Sequence, residues 1–403
     1  MPLSRRLQRI AFGLLILWLI VSAFYYIQDL FSPTFYMGYD EGRIHKALKY
    51  FICASFSVYF CIAARAYGLL LFCGVMLLFA TFFTIDHGSL EIASVSLLVT
   101  STMLPFILVP TLWRDRMQVI SRVIVICGAI VGVFSIVEIA FLGPLFEAFW
   151  KSTGSIRSVS TLFNPNNLGL YVGVALLLLP YMRLKKLWNV ICGLLLFFPL
   201  AASGSRTAWV GLFVVFACQL MTASNTRRRI FEFLRRNLSP LLLTGIVLIA
   251  AYQFYLSYIS QFDIVVANRG TDLYTASVRL SNLNSFVARI DDSLLFPDTQ
   301  SLRAEFIQDN FYLIILNSFG LTGLLVFSSF FAIYFSTRHT PAAELRPWKF
   351  AFLFYMVSGL SVSQLNSFPN NLLFFLSMGA LWTCRTSFGH KNTSTPDAKS
   401  HNG

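Results

Sequence analysis

Charge is what this sequence lacks. Asp, Glu, Lys and Arg make up 12% of its 403 residues and histidine occurs only five times, whereas soluble domains carry about 25% charged residues. Set beside 56% hydrophobic residues, 41 Phe and a mean hydropathy of +0.68, that scarcity excludes a water-soluble fold, which cannot hide so much apolar surface. A cysteine framework and a processing site are missing too. The seven cysteines (Cys53, Cys61, Cys73, Cys127, Cys192, Cys218 and Cys384) lie in or beside apolar stretches with neither metal-ligand nor disulfide spacing, and read as small packing residues. The first apolar stretch has the basic flank of a signal peptide. Gln28-Asp29-Leu30-Phe31 follows it in place of a small-residue cleavage site, so it reads as a retained anchor. No internal repeat or composition shift marks a second domain.

What is present is about a dozen apolar stretches. Taking about 20 apolar residues as one crossing, helices are expected near 10–27, 48–64, 69–85, 92–113, 119–142, 168–182, 187–202, 207–221, 238–258, 311–335, 348–365 and 371–383. The expected fold is an all-α polytopic transmembrane bundle of about 12 helices. Residues 1–388 form one membrane domain, and 389–403, rich in Ser, Thr, Asn and Lys, a disordered cytoplasmic tail. Such a thread places both termini on one side. Lys and Arg choose that side, because cytoplasmic loops retain positive charge during insertion. With the N-terminus inside, Arg5, Arg6, Arg9, Arg65, Arg114, Arg116, Arg122, Arg183, Lys185, Lys186, Arg227 to Arg229, Arg235, Arg236, Arg338, Arg346, Lys349, Arg385, Lys391 and Lys399 are cytoplasmic, while the opposite face, with Glu138 near a helix end, is net negative. Topology thus accounts for the formal charge of +13 and the pI of about 9.6. The lipid bilayer is the expected partner, and nucleic acid is not.

Two external connections are long, 143–167 and 259–310, and long external loops on a helical bundle usually carry function. Within the second, Leu273, Leu280, Leu283, Phe286, Val287 and Ile290 recur at near-helical spacing, with Arg279, Asn282 and Arg289 on other faces. This suggests a short amphipathic helix on the membrane surface or over a cavity. The plainer alternative is a mobile loop touching the bundle.

A few arginines stand on the external face against the insertion bias. Arg206 follows Ser203-Gly204-Ser205 and opens the helix from Thr207, with Ser205 placed to cap it. That helix start points outward, so unpaired N–H groups, the positive end of the dipole and a guanidinium converge, the makings of a phosphate site. A second outward start is preceded by Arg157 and has Asn164 as cap and Pro165 as first helical residue. A third begins at Asp309-Asn310, after the loop holding Arg279 and Arg303. The pattern is one anion site assembled from several helix starts, with Asn164, Asn166 and Asn310 as caps or glycan-binding groups. Any one of these arginines taken alone has a plainer reading as a snorkelling anchor, and Arg269, Arg289 and Arg303 stay in that class.

Three strings carry a resemblance. Arg157-Ser158-Val159-Ser160-Thr161-Leu162-Phe163-Asn164-Pro165-Asn166-Asn167-Leu168-Gly169, then Ser203-Gly204-Ser205-Arg206-Thr207-Ala208, then Asp309-Asn310-Phe311-Tyr312-Leu313 with Gly320-Leu321-Thr322-Gly323, resemble the O-antigen polymerase and ligase superfamily of bacterial inner membranes in order and spacing. The resemblance implies a glycan-assembling enzyme with its active site at the periplasmic face. Its substrate would be undecaprenyl-diphosphate-linked oligosaccharide, its diphosphate ligands Arg157, Arg206 and Arg279, and its associates a chain-length regulator and a flippase. It implies no cofactor and no metal. The chain departs from the family at Ile290, where members often carry glycine.

The residues suit that chemistry. Cleaving a sugar–diphosphate bond builds negative charge on the leaving oxygen, which guanidinium groups and helix starts stabilise. A carboxylate beside the attacking hydroxyl takes its proton; Asp309 is the candidate, with capping of the next helix as its plain alternative. Ligases of this family usually carry a histidine near the end of the large loop. This loop has none, since the histidines are His45, His87, His339, His390 and His401, and the aromatic after Asp309-Asn310 favours a polymerase. A twelve-helix transporter is the main rival, but the helices hold almost no ionisable residue near mid-membrane, Glu138 and Arg122 lying toward helix ends. A lipid-linked sugar flippase would line a cavity through the bundle with its arginines, whereas these sit at helix ends.

Overall fold

The computed structural model describes residues 5–27, 43–87, 92–143, 145–146, 150, 157–162, 164–182, 184–222, 310–336, 344–365 and 367–389. Every regular element among them is helical, as a spanning chain requires when hydrocarbon offers its backbone no partner. In order these are α1 (Arg5–Ala23), α2 (Arg43–Ala63), α3 (Tyr67–His87), α4 (Ile92–Met103), α5 (Val109–Leu112), α6 (Met117–Phe141), α7 (Pro165–Leu178), α8 (Lys186–Ala202), α9 (Arg206–Thr222), α10 (Phe311–Ser336), α11 (Arg346–Ser358) and α12 (Asn370–Gly389). The expected helix at 238–258, the amphipathic segment and the 389–403 tail beyond Gly389 lie outside the described residues.

Four stretches, Arg5–Ala23, Val95–Leu112, Arg114–Phe141 and Ser318–Phe335, are long and apolar enough to cross a membrane, and shorter apolar helices lie over Ala47–Ala63, Tyr67–Phe82, Lys186–Ala202 and Arg206–Gln219. Leu14, Leu71, Leu78, Phe82, Phe213, Phe216, Leu325 and Phe335 point away from the core and are exposed, an apolar perimeter suited to lipid tails. The interior is built on α7, α11 and α12. The Phe374 ring of α12 meets Phe311 of α10 at 5.3 Å, and Tyr355 and Phe352 of α11 at 5.9 and 6.5 Å. Small residues bring backbones close. A Cβ at Gly132 of α6 would run into the Leu195 carbonyl of α8, and one at Gly379 of α12 into the Ile107 carbonyl.

Two helices expected to be continuous are interrupted. The segment at 92–113 ends its α-helix at Met103 and proceeds through a 3₁₀ turn, Leu104–Leu108, into the short α5. Pro105 and Pro110 each remove an N–H and crowd the preceding turn. In α10, Gly320 takes φ 65°, ψ −167°, a conformation that only glycine adopts readily, and breaks the helical run. The last helix runs on to Gly389 rather than stopping at residue 383.

Helix direction alternates from α6 to α9 and again from α10 to α12, with α9 and α10 both starting at the same end. At one end the hydroxyl of Thr161, just before α7, donates to the Ala23 carbonyl at the end of α1 (2.7 Å), and Asn370, opening α12, donates to the Asn167 carbonyl in the first turn of α7 (3.0 Å). At the other end the Arg116 guanidinium lies 4.8 Å from the Phe12 ring, Trp348 of α11 donates to Ser121 of α6 (2.9 Å), and Thr111 meets Thr383 (2.9 Å). Arg5, Arg6, Arg9, Arg114, Arg116, Arg346 and Lys349 therefore share the second end, the sorting that the charge pattern requires.

Candidate functional site

The first end gathers the helix starts that the sequence singles out. Asn164 caps α7 from an extended conformation (φ −143°, ψ 137°), its side chain accepting from Asn166 N at 2.8 Å, and Pro165 begins the helix. Asn166 in turn accepts from Arg157 Nη2 at 3.2 Å, while Arg157 Nε donates to the Ser203 carbonyl at 2.8 Å. The next backbone N–H, of Ser158, donates to the Ala202 carbonyl at 2.9 Å. Arg157 thus bridges the start of α7 and the α8–α9 turn. Gly204 forms that turn at φ +59°, and a Cβ there would approach Arg157 Nε to 3.3 Å. Glycine fits both the backbone angle and the close guanidinium.

Arg206 opens α9 with its side chain exposed, three residues past the carbonyl that holds Arg157. Its cap differs from expectation. Ser205 Oγ is buried without a hydrogen-bond partner, and Ser203 Oγ accepts from Ser205 N at 3.2 Å instead. The reason is the close crossing of α7: a Cβ on Gly169 would lie 2.6 Å from Ser205 Cβ, so the Ser205 side chain packs against that glycine.

One residue on, Thr207 Oγ1 and Ser361 Oγ are 2.6 Å apart, joining the α9 start to the turn after α11. That turn holds the α10 start as well, through Phe311 N to the Gly359 carbonyl (2.9 Å) and Asn310 Nδ2 to the Leu360 carbonyl (3.0 Å). Asn310 Oδ1 accepts from Tyr312 N (3.0 Å) and Leu313 N (3.2 Å). The α10 cap is therefore Asn310, which takes the role offered as an alternative for Asp309. Asp309 itself, Arg279, and the 259–310 loop up to Asn310 lie outside the described residues.

Hydrogen bonds join Arg157, Asn166 and Asn164 to the α8–α9 turn; Arg206 follows that turn in sequence, and the Thr207–Ser361 and Asn310–Leu360 pairs tie the α9 and α10 starts to the turn after α11. Each start places the positive end of a helix dipole at this end, with Asn164 and Asn310 accepting first-turn N–H groups of α7 and α10. Among the described residues no cluster of three His, Cys, Asp or Glu side chains is placed to hold a metal ion.

Two charged residues here are not singled out by the sequence as site residues, Glu138 being marked there only as a helix-end charge. Glu138, in the last turn of α6, has no exposed surface and accepts hydrogen bonds from the segment just after Arg157. Lys49, in α2, is 4% exposed. Its ammonium lies 5.2 to 5.8 Å from the ring centres of Phe368, Tyr50, Tyr25 and Tyr26 and donates to the Tyr26 hydroxyl at 3.2 Å. The aromatic partners come from three separate segments, so no local pattern reveals them.

Fold and site together define a chain whose described residues are all helical in their regular structure, with four candidate membrane-spanning helices among them and Arg157 and Arg206 beside helix starts at one end. No family model, curated protein or solved structure matches it.

Proposed function

We propose that this protein is a membrane glycosyltransferase that polymerises undecaprenyl-diphosphate-linked oligosaccharide repeats, of O-antigen, capsule or exopolysaccharide, at the periplasmic face of the inner membrane. The observation that carries the reading is the Arg157 bridge, which fixes a guanidinium between the start of α7 and the turn that leads into α9. Fixed cations and helix starts are suited to a diphosphate leaving group, because they need no reorganisation as its charge develops. In this reading Arg157, Arg206 and Arg279 hold the diphosphate. Asn164, Asn166 and Asn310 keep the helix starts in place beside the glycan, and Asp309 accepts the proton of the attacking hydroxyl.

The test is a deletion strain examined for surface glycan on a gel and complemented with variants. A polymerase leaves single repeats attached to the acceptor. Polymer retained on its lipid carrier but unattached would make the protein a ligase, and loss of all periplasmic lipid-linked repeats would make it a flippase. Arg157→Ala and Arg206→Ala are expected to abolish polymer while the protein stays in the membrane at normal level. Near-normal chain length from both variants would overturn the assignment.

A further inference from the structure

The backbone that presents Arg157 is itself constrained. Ser160 has φ +50°, a left-handed conformation uncommon for a residue with a side chain. It and its neighbours turn their donors toward Glu138. Oε2 of that carboxylate accepts from Ser158 Oγ at 2.6 Å and from Ser160 N at 2.7 Å, and Val159 N reaches Oε1 and Oε2 at 3.1 and 3.2 Å. The same face of α6 adds two more bonds. Ser135 Oγ donates to Ser158 Oγ at 2.7 Å, and Val131 O accepts from Ser160 Oγ at 2.8 Å. An acid without exposed surface in a mainly apolar span is expensive to keep and is by default there for a purpose.

We infer that Glu138 is the positioning residue for Arg157: its carboxylate locks residues 158–160, and through them holds the guanidinium over the α8–α9 turn. Its bearing on activity rests on the reading of Arg157 as a diphosphate ligand; the mechanical claim does not. Glutamine has almost the same shape but cannot substitute. Whichever way its amide points, the NH₂ faces a backbone N–H where the carboxylate presents an acceptor.

The mechanical claim is tested without any ligand. Full-length protein in nanodiscs is treated with the arginine reagent phenylglyoxal, and modification of Arg157 and of the exposed Arg206 is followed by peptide mass spectrometry. Glu138→Gln is expected to raise the Arg157 rate about tenfold, the scale of losing hydrogen bonds to a charged group, with Arg206 unchanged and Glu138→Asp recovering part of the protection. An unchanged Arg157 rate, or equal rises at both arginines, would overturn the inference, because generic loosening does not single out one guanidinium. If Glu138→Gln fails to accumulate, Ser158→Ala serves in its place, with a smaller rise at Arg157 expected and the same overturning result. Should Arg157 be loosened in Glu138→Gln while polymer length stays normal, the positioning role stands and the polymerase reading falls.

Discussion

At the scale of single residues, the site is a set of side chains bonded to other segments' backbones. Asn310 shows this best, since it caps α10 with one end of its amide and ties down the turn after α11 with the other. Asn310→Ala removes both. A lost cap costs about 1 kcal/mol, so a lowered thermal unfolding midpoint in detergent is expected, and an unchanged midpoint would mean that the cap contributes nothing there. The caps also mark how far local sequence carries. Asn164-Pro165 is legible because cap and first residue are adjacent and their roles depend on nothing else. Ser205 is misleading, because a glycine on another helix decides where its hydroxyl goes. Glu138 looked like an ordinary helix-end residue because its partners lie some 20 residues on, in a loop whose path no window of hydropathy describes.

At the scale of elements, the apolar stretches announced nearly every described helix, because a run of apolar residues has few other uses in a membrane. The interruptions were less visible. Averaging over a span hides Pro105 and Pro110 within 92–113, and Gly320 is one residue in a long apolar run. Contacts between helices were invisible altogether, since they depend on which small residues face each other. Gly132 and Gly379 are such contacts, each with another segment's carbonyl where a side chain would begin. Gly132→Ala and Gly379→Ala are expected to destabilise the protein by about 1–3 kcal/mol, the usual effect of overpacking, and to shrink the monodisperse fraction on size-exclusion chromatography. Gly13→Ala and Gly74→Ala, where an added Cβ meets nothing within 4 Å, are the controls. Equal yields across the four variants would show that the close approaches do not matter.

At the scale of the whole molecule, the helices run between a basic end and an end of gathered helix starts. The charge pattern assigned the basic end to the cytoplasm, and cysteine labelling checks it. In a background with the partly buried Cys192 and Cys218 replaced by alanine, Arg206→Cys is expected to react with a membrane-impermeant maleimide in intact spheroplasts, and Arg116→Cys only after lysis. The reverse result would turn the site toward the cytoplasm and remove its access to periplasmic glycan. The central helix has a consequence for biogenesis. From Asn370 through Leu381, α12 is buried without interruption, with α10, α11 and the broken α4–α5 segment packed around it, yet it emerges from the ribosome after every other described helix. The buried faces of α10, α11 and the α4–α5 segment therefore stay uncovered until residues 370–381 have been made, so truncation before Asn370 is expected to cost accumulation of the protein more than truncation after Gly389.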